Sequence, residues 1–235
     1  MLCKIADLVV DVPAAGGLAS RCAEYLHGGG DCADIVIRQE AYRPEIYPAG
    51  TGGDMIAYME SASQFCKALI SFGGFYLHSS AVVLDGKAYL FSGPSRVGKS
   101  THTRLWQQLW KDARVINDDK PALRRVDGVW YAYGTPWCGK DGINLNEKAP
   151  VAGVCFLRKA PENNIRRLDV FEATRRLLGQ TIYRLPTAEQ LDLLLASLEL
   201  FTKEVPVFEL ENRPEPDAAR LSWNTMRRCA EEISL

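Results

Sequence analysis

The chain has 235 residues, 47% of them hydrophobic, with 28 Lys and Arg against 29 Asp and Glu and a formal net charge of −1. This length fits one α/β domain, or one domain with a small appendage, and the composition supports a real core. The charge balance argues against a nucleic-acid or membrane-surface partner held by bulk electrostatics, and no apolar run reaches the length of a membrane span.

The opening, MLCKIADLVVDVP, carries Asp7 and Asp11 inside its apolar stretch, unlike a signal peptide. Lys4 to Val12 is predicted as a strand that ends at Pro13. A short helix is expected from Gly17 to Leu26, stopped by Gly28-Gly29-Gly30, then a strand over Asp34 to Ile37. Tyr42 to Gly53 holds two prolines and three glycines and reads as loop or irregular hairpin. Met55 to Glu60 is predicted as a strand. Ser61 and Gln64 have the spacing of a capping box, so a helix is expected to start there, with Phe65, Leu69 and Ile70 inward. Gly73-Gly74 stops it. The composition shifts at Phe75. This divides the chain into a β-rich segment, 1–74, packed on a nucleotide-binding core, 75–235, with a helical C-terminal part.

In the core, Phe75 to Leu84 and Lys87 to Phe91 are predicted as a hairpin, because Asp85-Gly86 is a strong type I′ turn signal. The second strand feeds Gly93-Pro94-Ser95-Arg96-Val97-Gly98-Lys99-Ser100, which matches the phosphate-loop pattern G-x-x-x-x-G-K-[ST] at every fixed position. The glycines let the backbone wrap so that its N–H groups face phosphate oxygens, and the following helix adds its positive end. Lys99 supplies a point charge to the β/γ-phosphates, and Ser100 supplies a hydroxyl to Mg²⁺. Leu105/Leu109 and Trp106/Trp110 give that helix its apolar i,i+4 pairs.

Arg114 to Asn117 is a short strand ending at Asp118-Asp119, where a nucleotide-bound Mg²⁺ needs a second anchor. Two adjacent carboxylates allow one to hold the metal and the other to take a hydroxyl proton. A second Asp-Gly hairpin spans Ala122 to Tyr133, followed by a glycine-rich loop from Gly134 to Gly142. Val151 to Leu157 is a buried strand and Ile165 to Leu168 an edge strand. Asp169 with Glu172 caps one helix, and Thr187 with Gln190 caps the next, whose Leu191, Leu194, Leu195, Leu198 and Phe201 form a stripe. A strand over Val205 to Leu210 precedes a last helix with Ala219, Trp223, Met226, Ala230 and Ile233 inward.

Other chemistry-bearing residues have plainer readings. His78 alone suits a satisfied strand histidine, and His102 a neutral polar contact at a helix start that disfavours the imidazolium. Lys140 in GTPWCGK suits phosphate, substrate or solvent equally, and Cys138 has no identifiable base. The seven cysteines are scattered without a C-x-x-C pair, as expected of reduced thiols in the cytoplasm. The GTPase string N-K-x-D is absent, since Asn117-Asp118-Asp119-Lys120 has the wrong order, and so are H-R-D and D-F-G.

The order Leu77-His78-Ser79-Ser80, hairpin, GPSRVGKST, helix, Val115-Ile116-Asn117-Asp118-Asp119 resembles the catalytic domain of HPr serine kinase. That family shares a phosphate-loop fold with phosphoenolpyruvate carboxykinase, and the likeness is closest to its short stand-alone members. It covers Phe75 to Leu168. The resemblance implies an α/β phosphate-loop domain with a mixed sheet. It implies an ATP- and Mg²⁺-dependent kinase acting on a hydroxyl, with a serine of a peptide or small protein as acceptor. By position it makes Asp118 the proton acceptor, His78 its helper and Lys99 the phosphate clamp. Gly93 to Thr101 then bind the nucleotide, with Ser100 and Asp119 on the metal side. The chain departs from the family at Arg96, where glycine is usual, and at Thr101, where HPr kinases carry glutamate. Residues 1–74 also do not look like the HPr kinase amino-terminal domain. Two rivals are a kinase for a small-molecule hydroxyl and a non-catalytic nucleotide-binding subunit of a peptide-maturation system. A homo-oligomer stays open.

Overall fold

The computed structural model describes residues 1–14, 16–181 and 187–233. The first elements are β1 (Leu2–Ile5), β2 (Leu8–Asp11), α1 (Gly16–Arg21), β3 (Ile35–Val36) and α2 (Gly53–Ser71). The predicted strand over residues 4–12 is instead the hairpin β1–β2. Ala6 and Asp7 have φ of 54° and 60° and make the turn. Tertiary bonds hold it, because the Asp7 carboxylate accepts from the Tyr133 hydroxyl at 2.7 Å and from Lys148 Nζ at 2.6 Å. The expected helix over residues 17–26 is the shorter α1 and a 3₁₀ turn at Ala23–Tyr25.

The predicted strand at Met55–Glu60 is also overturned: those residues are the first turns of the 19-residue α2. Ser61 and Gln64 sit inside that helix and serve tertiary contacts, not a cap. Ser61 Oγ accepts from Trp137 Nε1 at 2.9 Å, and the Gln64 amide pairs with the backbone N–H and C=O of Arg38.

The core continues with β4 (Gly74–Tyr76), β5 (Ser79–Leu84), β6 (Lys87–Ser92), α3 (Lys99–Leu109), β7 (Arg114–Asn117), β8 (Ala122–Val126) and β9 (Val129–Tyr133). It closes with β10 (Lys148–Lys159), β11 (Asn164–Arg167), α4 (Val170–Thr181), α5 (Ala188–Glu204), β12 (Val207–Asn212) and α6 (Pro216–Ile233). The nine strands from β4 onward form one mixed sheet, ordered β4-β8-β9-β10-β6-β5-β7, with β12 paired to β10 and β11. Both Asp-Gly hairpins form, and their aspartates and glycines carry positive φ. The first hairpin's leading strand is broken, however. β4 pairs with β8, β5 pairs with β6 and β7, and His78 lies in the break.

Helices cover both faces of the sheet, so its central strands are apolar on both sides. Ala88 and Leu90 of β6 face a core with Leu177 of α4 and Leu194, Leu198 and Phe201 of α5. Tyr89 and Phe91 face another core, with Trp106 of α3 and Ala219, Met226 and Ala230 of α6. Trp223 is only partly buried in α6, and the Ile233 side chain lies outside the described residues. A third core joins the N-terminal segment to the sheet edge: Ile5, Val10, Tyr25, Phe65 and Leu69 pack with Tyr76, Tyr133 and Trp137. Among the described residues no helix is long and apolar enough to cross a membrane.

Candidate active site

The segment between β6 and α3 makes a tight loop that only particular backbone angles allow. Gly93 and Gly98 have φ of 139° and 117°, regions open to glycine but not to residues with a Cβ. A Cβ on Gly93 would also come within 3.1 Å of Val97 Cγ1 and 3.3 Å of the Leu157 carbonyl oxygen. Arg96 has φ of 66°, the left-handed region where glycine is least strained, and its side chain is exposed. Gly98 caps α3, whose first turn holds no carboxylate, so the positive end of the helix faces the loop uncompensated. Lys99 folds back over the loop and donates to the carbonyls of Gly93 at 2.9 Å and Pro94 at 3.3 Å. Burial lowers its pKa, and Asp119 acts in the opposite direction.

The inner face of α3 is fixed to α6. Ser222 Oγ donates to the Ala219 carbonyl and accepts from Trp106 Nε1 at 3.2 Å. Its remaining lone pair takes His102 Nε2–H at 3.0 Å, which leaves Nδ1 buried without a partner. Burial pushes the His102 pKa down to about 3, so this histidine is a neutral structural contact on the α6 side of α3.

Opposite the loop, β7 ends in an Asx turn. Asn117 Oδ1 accepts from the backbone N–H of Asp119 at 2.9 Å and of Lys120 at 2.7 Å, and its amide donates to the Thr135 carbonyl at 3.0 Å. The two carboxylates then meet different partners. Asp118 Oδ1 accepts from Gly139 N at 2.6 Å and Oδ2 from Asp141 N at 3.2 Å. Burial raises the Asp118 pKa, although those two N–H bonds pull it the other way. Asp119 Oδ2 is ion-paired with Lys120, and the Tyr58 hydroxyl lies 3.4 Å away. Lys120 Nζ donates to Tyr58 Oη at 3.2 Å, and Tyr58 donates to the Cys138 carbonyl at 2.8 Å.

His78, in the β4–β5 break, brings Nε2 to 3.4 Å from Asp119 Oδ1 and Nδ1 to 3.0 Å from Gln180 Oε1. Burial, with Lys99 nearby, lowers its pKa and favours the neutral ring. Gln180 Oε1 can only accept, so the neutral ring donates to it from Nδ1 and turns an unprotonated Nε2 toward Asp119.

These residues share one cleft of about 560 Å³, lined by His78, Ser95, Arg96, Gly98, Lys99, Ser100, Thr101, Asp118 and Asp119. Arg104, Gly139 and Lys140 complete the wall. Gly93, Pro94 and Val97 build the loop beneath without lining the cleft. Lys140 is exposed at its edge. Cys138 is buried, its thiol accepts from an Arg21 nitrogen at 2.8 Å, and burial raises its pKa, which argues against a reactive thiolate. Sequence reasoning missed Tyr58, Lys120, Gln180 and Gly139. Tyr58 was hidden by a helix taken for a strand, and Gly139 has a steric signal only in three dimensions: a Cβ there would lie 2.9 Å from Asp118 Oδ2.

The oxygens available suit a hard divalent cation. Ser100, Asp118 and Asp119 are hydroxyl and carboxylate donors on one cleft. Among the described residues there is no group of three or more His, Cys, Asp or Glu placed to hold a metal alone. Mg²⁺ beside a nucleotide does not need one, because phosphate oxygens and water fill most of its shell.

No protein-family model matches the chain, and no curated protein matches it. Among solved structures it is similar to the HPr(Ser) kinase/phosphatase from Coxiella burnetii. The match covers 68% of this chain and 92% of that chain, with 13% sequence identity and a TM-score of 0.39. At that distance the likeness says nothing of chemistry, and the functional reading rests on the residues of the cleft itself.

Proposed function

We propose that the protein is a Mg²⁺- and ATP-dependent phosphotransferase that moves the γ-phosphoryl group to a hydroxyl, with a serine of a peptide or small protein as acceptor. The observation that carries this reading is the convergence in one cleft of Lys99, Ser100, the free N-terminus of α3, both aspartates and His78. A phosphate loop alone would suit many nucleotide-binding proteins. A carboxylate pair and a neutral histidine facing it supply the groups that phosphoryl transfer to an alcohol needs.

Lys99 would exchange its loop carbonyls for phosphate oxygens when the triphosphate enters. Ser100 and Asp118 would hold Mg²⁺, which when bound offsets the charge that builds on the phosphates. Asp119 would take the hydroxyl proton, with Lys120 and Tyr58 fixing its Oδ2 and His78 close to Oδ1. This exchanges the two aspartate roles that their order along the strand suggests. Its support is geometric: both Asp118 oxygens accept backbone N–H bonds, whereas Asp119 also borders a second cleft. In the step, the acceptor oxygen bonds to the γ-phosphorus, the bond from that phosphorus to the β-bridging oxygen breaks, and ADP leaves with the electron pair. We place the reaction in the cytoplasm, where the chain's unpaired thiols would persist.

The test is titration of Mg-ATP into the protein and Lys99→Ala by calorimetry, followed by incubation with labelled ATP and lysate from its own cells. The parent should bind ATP and label an acceptor. Lys99→Ala should lose at least about tenfold in affinity and all transfer. A variant that binds and turns over like the parent would show that the loop does not serve phosphate.

A further inference from the structure

A second cleft, of about 370 Å³, lies between α1, the first turns of α2 and the loop at Cys138–Lys140. It shares Asp119, Gly139 and Lys140 with the phosphate-loop cleft, so the two cavities meet at one carboxylate. Its walls are mainly apolar. Leu18 and the Tyr58 ring form the floor, and Met55, 54% exposed, stands at the mouth. Gly17 adds no side chain to the rim, and a Cβ there would meet nothing within 4 Å.

Asp54 and Lys140, both exposed, and Arg21 also line this wall, and the interactions of Arg21 are internal. It donates to the carbonyl and the thiol of Cys138 and lies 5.0 Å over the Tyr58 ring. That arrangement stiffens the wall more than it advertises a charge. A cavity of this size with mainly apolar walls and a few polar groups matches a site for a small ligand group, oriented by a polar contact. Of the two carboxylates here, Asp54 and Asp119, only Asp119 also lines the first cleft.

We infer that this cleft is the acceptor site, and that it takes a hydroxyl carried beside an apolar group, which rests on Leu18, Met55 and Tyr58 while the hydroxyl meets Asp119. The inference rests on the phosphotransferase reading above and adds the acceptor's chemical class. It gives the N-terminal segment, residues 1–74, a direct role in choosing the acceptor. The same chemistry could come from a serine or threonine beside an apolar residue in a peptide, or from a small alcohol with an apolar body. In either case the hydroxyl oxygen gains the phosphoryl group, Asp119 gains the proton and ADP departs.

The experiment uses the full chain with Mg²⁺ and labelled ATP. One arm offers glycine-based pentapeptides with a central serine and one variable neighbour. The other offers small alcohols, phenylethanol against glycerol. Labelling should favour Leu, Met or Phe beside serine over Asp or Lys by at least about tenfold, or phenylethanol over glycerol by a similar factor. The arm that labels identifies the source. Met55→Asp, at an exposed position, should erase that preference while leaving ATP affinity and the thermal midpoint unchanged. Leu193→Asp, 44% exposed on α5, should leave both activity and preference unchanged. Transfer indifferent to the neighbour, a preference that survives Met55→Asp, or ATP binding with no acceptor labelled in either arm would each overturn the inference and leave nucleotide binding standing. Failure to bind ATP at all would instead remove the reading beneath it.

Discussion

Asp118 and Asp119 are neighbours in sequence yet belong to different hydrogen-bond systems, so their amide variants should fail differently. Asp119→Asn removes the proposed proton acceptor. It should bind Mg-ATP nearly as the parent does and lose about 10²–10⁴-fold in transfer, the range for a positioned general base. Asp118→Asn should raise the Mg²⁺ concentration needed for half-maximal transfer. Paired Mg²⁺ titrations, with ATP affinity and rate read separately, decide this, and identical profiles would remove the division of roles. A different single-residue effect belongs to His102, buried and neutral between Phe91 and Ser222. Its pKa of about 3 lies below the ordinary value near 6.5, so between those limits the unfolded chain binds a proton that the native state refuses. Stability from this group is therefore full above pH 6.5 and lost as pH falls, by about 1.4 kcal/mol per unit. From pH 7 to pH 5 the parent should lose about 2 kcal/mol more unfolding free energy than His102→Gln. Urea unfolding at the two pH values measures it, and equal losses would mean that the imidazole is protonated in place.

At the scale of elements, the end of β7 is held by one side chain. Asn117 is fully buried and serves four backbone groups, two on its own turn and the carbonyls of Thr135 and Trp137. Asn117→Ala should cost about 3 kcal/mol, because buried donors and acceptors lose their partners. It should also depress transfer by releasing both carboxylates. Chemical denaturation gives the first quantity and initial rates the second; full activity with the stability loss would show that the turn does not position the pair. The glycine loop before α3 and the two Asp-Gly hairpins were legible in the sequence because their chemistry is local: positive φ and a helix start. The Ala6-Asp7 turn was not, since its aspartate is held by Tyr133 and Lys148 from far along the chain. Ser61 and Gln64 carried a true local signal that Trp137 and Arg38 override. The break at Leu77–His78, which frees His78 to reach Asp119, depends on β4 choosing β8 as partner, and no short-range rule specifies that choice.

For the whole molecule, the division at residue 74 is read from composition, and side-chain contacts run across it. Phe65 of α2 stacks on Trp137 at 4.5 Å, and Tyr58 of the same helix contacts Asp119 and the Cys138 carbonyl. We propose that residues 1–74 and 75–235 are layers of one cooperative unit. Urea unfolding followed by tryptophan fluorescence and by far-ultraviolet dichroism should therefore give one coincident transition. Two separated midpoints would mean that the N-terminal layer melts on its own. The sequence reading does not show that residues of this segment line the second cleft beside Asp119, because it divides α2 between a strand and a helix.

β10 runs for 12 residues, pairs with β9 at its start, and slips by one residue against β6 between Val151 and Gly153. Beyond the slip, Val154 and Phe156 face the α4/α5 core, and Cys155 and Leu157 face the α3/α6 core. A one-codon deletion at Ala152 would exchange those two sets. Neither set would meet water, so oil-and-water sorting, which guards register in a half-exposed strand, gives no protection here. Only volume does: phenylalanine would have to fit where leucine and cysteine now lie. The spine of the molecule is thus held in frame by shape, and a frame error there would be invisible to any measure of hydropathy.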